Sequence, residues 1–334
     1  MPETRYTIAA TGLSDLATAL AVLEQEEAVA ADDLPGRCRL LLFAAEIALP
    51  DPLVCEFRRI CRDRLPGVAV EIMRFADAPE RDRLIAALPP AGHGPHVLIG
   101  NQLHVPHNRV LYAGLAPDRL LFYDNGLSSY APHPPSVLES LRVTLPGLGI
   151  RACLGHADRL GIPPYLEGIP TTAVMAGAAR HAYARLAPET AWRLGAPDLP
   201  ETLLVLGTGF ARTGLIDEAE EIDLHLALFR AIRQRHDGRL VFKGHPRAGP
   251  ALAQACRGEE IDMLETTLPV ECHVTGPRGR VFSFSSTALL TLEDHFGWES
   301  HRIAAPAMEE VFNARPQLAM IREIPVSADL ELES

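Results

Sequence analysis

Short apolar runs alternate with amphipathic segments in two successive series, and this alternation is what most limits the fold. A strand buried on both faces reads as a continuous apolar run, whereas a helix lying over it carries apolar residues three and four apart. In the first series residues 6–10, 39–44, 68–75, 96–100 and 119–123 read as strands, and residues 14–24, 52–64 and 79–88 as helices. Leu16, Leu20 and Leu23 share one face of the first helix, for which Ser14 is the expected N-cap. The second series places strands at 202–206, 239–243, 262–265 and 280–284, with helices at 217–234, 250–257, 287–295 and 308–313. Between them, residues 155–200 are rich in Ala, Pro and Gly, with one helical stretch at 173–186. Strands spaced by helices specify a parallel sheet covered on both faces. A single core seldom grows past ~250 to 300 residues, so 334 residues call for two α/β domains. The expected division is an N-terminal Rossmann-like domain at 1–153, a helical connector at 154–200, a second Rossmann-like domain at 201–320 and a frayed acidic tail at 321–334.

Composition narrows the function. A net charge of -12 repels nucleic acid and polyanionic polysaccharide from the molecule as a whole. No run approaches the ~18 apolar residues of a membrane span, and the N-terminus lacks the apolar core of a signal peptide, so the expectation is a cytoplasmic protein with at most peripheral membrane association. The six cysteines form no CxxC pair and read as reduced, mostly buried thiols. His93, His96, His104 and His107 make two i, i+3 pairs, but Pro95 and Pro106 interrupt both, and the structural reading is preferred to a metal site. The basic residues carry a sharper signal: of 31 Lys and Arg, Lys243 is the one lysine. A compact ammonium and a planar guanidinium are not interchangeable in a tight anion site, so a retained lysine marks a place to look.

Three short motifs fall at strand ends, where doubly wound sheets put ligands. Asp124-Asn125-Gly126 carries a carboxylate out of a strand onto a glycine-permitted turn; an Asx turn bonding its own backbone is the plain alternative. Lys243-Gly244-His245-Pro246-Arg247 sets two cations and a titratable imidazole within five residues, suited to a phosphate. Ser285-Ser286-Thr287 opens a helix, offering hydroxyls and backbone N–H groups to an anion, or a plain N-cap. Gly207-Thr208-Gly209 is a weaker phosphate-loop candidate, since it lacks both the GxGxxG spacing and a P-loop lysine. No Asp-x-Asp occurs, which argues against a metal-clamped nucleotide diphosphate donor.

In this order and with these separations the motifs resemble those of the bacterial sialyltransferases and polysialyltransferases. That family carries an acidic-acidic-Gly motif, matched by Asp124-Asn125-Gly126, an HP motif, matched by His245-Pro246, a Pro-x-Glu element, matched by Pro269-Val270-Glu271, and a Ser-Ser motif, matched by Ser285-Ser286. Residues 11–23 bear a looser likeness to its N-terminal loop and helix. The resemblance implies a GT-B fold, two Rossmann-like doubly wound parallel-sheet domains facing a central cleft. It also implies a CMP-activated sialic or related nonulosonic acid as donor, inversion at the anomeric carbon, and no resident cofactor or metal. Asp124 would then be the general base toward an acceptor hydroxyl of a glycan or glycoconjugate, and His245 would protonate or hydrogen-bond the departing phosphate. Glu271 would hold the ribose hydroxyls, and Gly207, Lys243, Gly244, Pro246, Ser285 and Ser286 would line the donor site.

Two features depart from the family pattern. The second acidic position is Asn125, which keeps open a non-catalytic nucleotide-sugar-binding protein. The charge of -12 suits a long polyanion poorly and favours transfer of a single residue to a bacterial surface glycan. A UDP-sugar-dependent transferase or epimerase of the same fold is the other enzyme reading, and it leaves Pro269-Val270-Glu271 and Ser285-Ser286 without a specific role.

Overall fold

The structure is a computed structural model that describes residues 3–45, 51–89, 93–101, 106–124, 149–160, 166, 168–245, 250–259, 261–306, 308–309, 312 and 326–332. The chain divides into two compact units, Met1–Pro188 and Glu189–Ser334. Each is built on one parallel sheet.

In the first unit the elements run β1 (Arg5–Ala10), α1 (Leu13–Glu27), β2 (Cys38–Ala45), α2 (Asp51–Arg64), β3 (Ala69–Phe75), α3 (Ala78–Ala86), β4 (His96–Asn101), α4 (Pro106–Leu115), β5 (Arg119–Tyr123), β6 (Gly149–Leu154), α5 (Ala157–Leu160), β7 (Thr171–Ala173) and α6 (Ala176–Leu186). The strands lie in the order β3-β2-β1-β4-β5-β6-β7. From its second residue onward β1 is buried, and β4 is buried throughout, as expected of central strands covered on both faces. Because β1 has β2 on one side and β4 on the other, the chain reverses its direction of winding beside β1, which makes the carboxyl end of β1 a topological switch point.

The second unit repeats the plan with β8 (Thr202–Leu206), α7 (Glu218–Arg235), β9 (Arg239–Lys243), α8 (Pro250–Arg257), β10 (Asp262–Met263), a 3-10 turn at Val270–His273, β11 (Gly279–Ser283), α9 (Ala288–Phe296), β12 (Glu299–Ala304) and β13 (Ala328–Glu331). Its strand order is β10-β9-β8-β11-β12-β13, with β8 at the switch point. Helix α7 starts where Asp217 caps it, the carboxylate accepting from the Glu220 N–H at 2.7 Å. Among the described residues no helix is long and apolar enough to cross a membrane. Five cysteines are buried, Cys55 is exposed, and all six are free.

Several sequence expectations change. Ser14 is not the N-cap of α1: that position is Gly12, with no side-chain cap, because the helix starts one residue earlier. The stretch expected as a connector is shared between the units. Residues 154–188 belong to the first, where β7 pairs with β6 and α6 packs on α1. The rest is fastened to the second, where the Leu194 N–H donates to the His273 carbonyl at 2.9 Å and the Trp192 N–H to His273 Nδ1 at 3.0 Å. The acidic tail is in part a strand, β13, in register with β12 from His301↔Ala328 to Ala304↔Glu331. Of the helix expected at 308–313, residues 308, 309 and 312 are described, and they are helical.

Candidate functional site

The sequence-derived site residues collect at two places, one in each unit. In the first, Asp124 follows β5 directly and is half-buried, and its Oδ2 accepts from the Gly155 N–H at 3.1 Å just past β6. The carboxylate thus ties the ends of two neighbouring strands. Asn125 and Gly126 lie outside the described residues.

Beside it stands a carboxylate that the sequence reading passed over. Asp15, on the first turn of α1 and 6% exposed, accepts on Oδ2 from the Thr11 N–H at 2.8 Å, from the Thr11 hydroxyl and from Asn101 Nδ2 at 3.0 Å. Burial pushes Asp15 above the usual carboxylate range, the Thr11 and Asn101 donors oppose that, and the Asp124 charge adds to it. Two buried tyrosines brace the same strand ends, Tyr123 donating to the Ala9 carbonyl at 2.6 Å and Tyr112 to the Asn101 carbonyl. The Thr11-x-x-x-Asp15 spacing after a strand was the available signal, while Asn101 had none.

In the second unit the carboxyl edge of the sheet gathers Gly207 after β8, Lys243, Gly244 and His245 at and after β9, Glu271 on the 3-10 turn, and Ser285-Ser286 after β11. Register brings them level: Leu206 pairs with Lys243 on one side, and Val205 with Phe282 on the other. Gly207 owes its identity to packing. A Cβ there would lie 2.8 Å from Phe242 Cζ and 3.2 Å from Gly244 Cα, so a side chain would force β8 and β9 apart. The Gly207 N–H completes the junction by donating to the Lys243 carbonyl at 2.9 Å.

Lys243 is 8% exposed, and its ammonium makes no hydrogen bond or ion pair among the described residues. Burial pulls its pKa below the ordinary ammonium range, and the nearby Glu271, itself 7% exposed, opposes that. Its neighbour His273 is fixed as a neutral imidazole: Nδ1 accepts from Trp192, which leaves the proton on Nε2, 3.3 Å from the Thr266 hydroxyl. Burial, with Lys243 adding, lowers the His273 pKa to about 4. Beneath the edge Phe242 and Phe284, the residues before Lys243 and Ser285, both meet the buried His225 ring edge-on.

The two serines divide their labour. Ser286, one residue before the Thr287 N-cap of α9, accepts on Oγ from the Ala288 N–H at 3.2 Å, whereas the Ser285 hydroxyl makes no bond among the described residues. Both backbone N–H groups are already turned inward onto Ser283 Oγ, at 3.4 Å from Ser285 and 3.2 Å from Ser286. Ser283 is fully buried and donates to the Leu206 carbonyl at 3.4 Å, which pins the turn to β8. His245 is exposed, and Pro246 and Arg247 lie outside the described residues.

His96 begins β4, at the opposite end of the first sheet, where its Nε2 lies 2.9 Å from the Thr7 hydroxyl. His104 lies outside the described residues. Among the described residues no group of three or more His, Cys, Asp or Glu is placed to hold a metal ion.

Two successive doubly wound parallel-sheet units carry anion-suited groups at their strand ends, which makes this an α/β protein of two such units. Residues 183–301 match the model of the alpha-2,8-polysialyltransferase (POLYST) family. The matched segment contains Gly207, Lys243, His245, Glu271, Ser285 and Ser286, and begins after Asp124, which it does not include. Among solved structures the chain is similar to the UDP-GlcNAc 2-epimerase from Methanocaldococcus jannaschii, at 13% identity and a TM-score of 0.49, over 96% of this chain and 92% of that one. No curated relative matches the chain by sequence.

Proposed function

We propose that the protein is an inverting, metal-independent glycosyltransferase that moves a sialic or related nonulosonic acid from its CMP-activated form to an acceptor hydroxyl. The observation that carries this reading is Lys243, a buried ammonium without a partner among the described residues, beside Gly207 and near Glu271. Such a cation awaits an anion, and the family match over the same segment makes a CMP phosphate the fitting one. The Ser285 hydroxyl is a second donor at this edge, and His245 stands at the end of the same strand as Lys243 to stabilise or protonate the phosphate as it leaves. In this reading Asp124, in the other unit, takes the proton of the acceptor hydroxyl, and a single acidic position suffices despite Asn125. Glu271 holds the ribose hydroxyls and also keeps Lys243 charged.

The net charge of -12 supports transfer of a single residue to a neutral or weakly charged surface glycan in the cytoplasm. The family description favours a second reading, stepwise elongation of an oligosialic acid. Product length on a neutral and on an oligosialylated acceptor separates the two.

The test of the donor class is a thermal-shift panel of CMP, CDP, UMP, UDP and GDP, each with and without magnesium. A ligand at a hundred times its Kd adds about 2.7 kcal/mol, enough to raise the Tm by a few degrees. Selective stabilisation by cytidine nucleotides without magnesium is expected; a preference for UDP or GDP overturns the proposal.

A further inference from the structure

In doubly wound units the phosphates of a nucleotide settle against the loop after the central strand, where backbone N–H groups converge at the switch point. In the second unit that loop is the glycine turn following β8, and its donors are already engaged. Glu221, on the first turns of α7 and 3% exposed, folds back over it. Its Oε1 accepts from the Thr208 hydroxyl at 2.5 Å and from the Phe210 N–H at 3.1 Å, and its Oε2 accepts from the Ala211 N–H at 3.2 Å. A carboxylate of the protein's own thus occupies the place where an external anion would be cradled. One strand away the situation is reversed, since Lys243 is buried without a partner among the described residues. The edge therefore offers one anion seat and has filled the other from within.

We infer that Glu221 is a specificity-determining residue that closes the loop to a second phosphate, so that the unit takes a donor with one phosphate and rejects a nucleoside diphosphate. A β-phosphate reaching this loop would meet three donors already bonded and a buried like charge, a repulsive element of the kind that specificity requires alongside attraction. The inference rests on the cytidine-donor reading above and adds the residue that discriminates within it. It also gives Thr208 a role: its buried hydroxyl holds the carboxylate in place.

The experiment is calorimetric titration of CMP and of CDP into the intact protein in EDTA-containing buffer, for the wild type and for Glu221→Gln. The amide is nearly isosteric and its carbonyl oxygen still accepts, but the charge is gone. The wild type is expected to hold CMP at least about tenfold more tightly than CDP, and Glu221→Gln to bring the two within about threefold by tightening CDP alone. Equal affinities in the wild type, or a ratio unchanged in the variant, overturn the inference and leave the cytidine donor standing. A wild type that binds neither nucleotide overturns both. The wild-type comparison requires no variant to fold. Should Glu221→Gln be unstable, Thr208→Val, which removes one of the three donors, is expected to narrow the ratio in the same direction, and an unchanged ratio there counts against the inference.

Discussion

The two units solve one problem in the same way and arrive at opposite chemistry. In each, the loop after the central strand holds a threonine whose hydroxyl donates to an acidic residue on the following helix: Thr11 to Asp15 in the first, Thr208 to Glu221 in the second. In both, the carboxylate accepts donors of a loop of the kind that can bind an anion. The difference lies in what stands next to it. In the first unit the neighbour is another carboxylate, Asp124, and the edge is acidic; in the second it is the ammonium of Lys243, which makes no hydrogen bond or ion pair among the described residues. A common scaffold thus carries opposite charge at its two strand edges, set by one neighbouring residue.

The sharpest way to break this contrast is to remove the first unit's charge. Asp124→Ala is expected to lower turnover by about 10²- to 10⁴-fold, the usual contribution of a general base, with CMP affinity unchanged. A parallel loss of CMP binding would erase the division between the units.

The next largest effect is on stability in acid. His273 titrates near 6.5 when unfolded and at about 4 when folded, so below pH 6.5 the unfolded chain takes up a proton that the folded one refuses. Stability is expected to fall by about 3 kcal/mol as the pH drops from 6.5 to 4, and to fall less in His273→Gln. Denaturant melts at several pH values measure both slopes, and coincident slopes would remove His273 from the account.

Lys243→Met should weaken CMP binding by about 10- to 100-fold, the range for a lost hydrogen bond to a charged group. Lys243→Arg should not restore it, since the guanidinium is planar and larger than the ammonium it replaces. Restoration by arginine would mean that the site reads charge alone.

The smallest effect is expected at Ser283. Removing its hydroxyl in Ser283→Ala leaves the N–H groups of Ser285 and Ser286 without their acceptor, at a cost of about 1 to 2 kcal/mol read as a lowered Tm. Its KM for the donor should rise while its thermal response to pH stays that of the wild type.

How far the sequence could be read follows the same division. Strand positions were legible wherever a continuous apolar run was bounded by turn residues: 119–123, 202–206 and 239–243 coincide with β5, β8 and β9. Strands β6, β12 and β13 escaped because Arg151, His301, Arg302, Asp329 and Glu331 interrupt their apolar pattern at sheet positions near or at an edge. At the site, Lys243, Ser285 and Asp124 were found because each lies directly after or at the end of a legible strand. Glu221 and Ser283 were not. Glu221 acts thirteen residues from its threonine with no periodicity linking them, and Ser283 and Ser285 lie two residues apart, so the alternation of a pleated strand does not tell them apart.

Strand β13 has a consequence for solubility. It is the last strand of the second sheet, parallel to β12, and it presents Glu331 to solvent. An exposed ladder of backbone donors and acceptors is a template on which another chain can pair, and charge placed along it discourages such growth. Strand β13 with its exposed Glu331 therefore works as a guard on that side of the sheet. A protein trimmed before Ala328 bares β12 and the partly buried Arg302 and Ala304 on it, turning a capped edge into a surface for chain-to-chain aggregation.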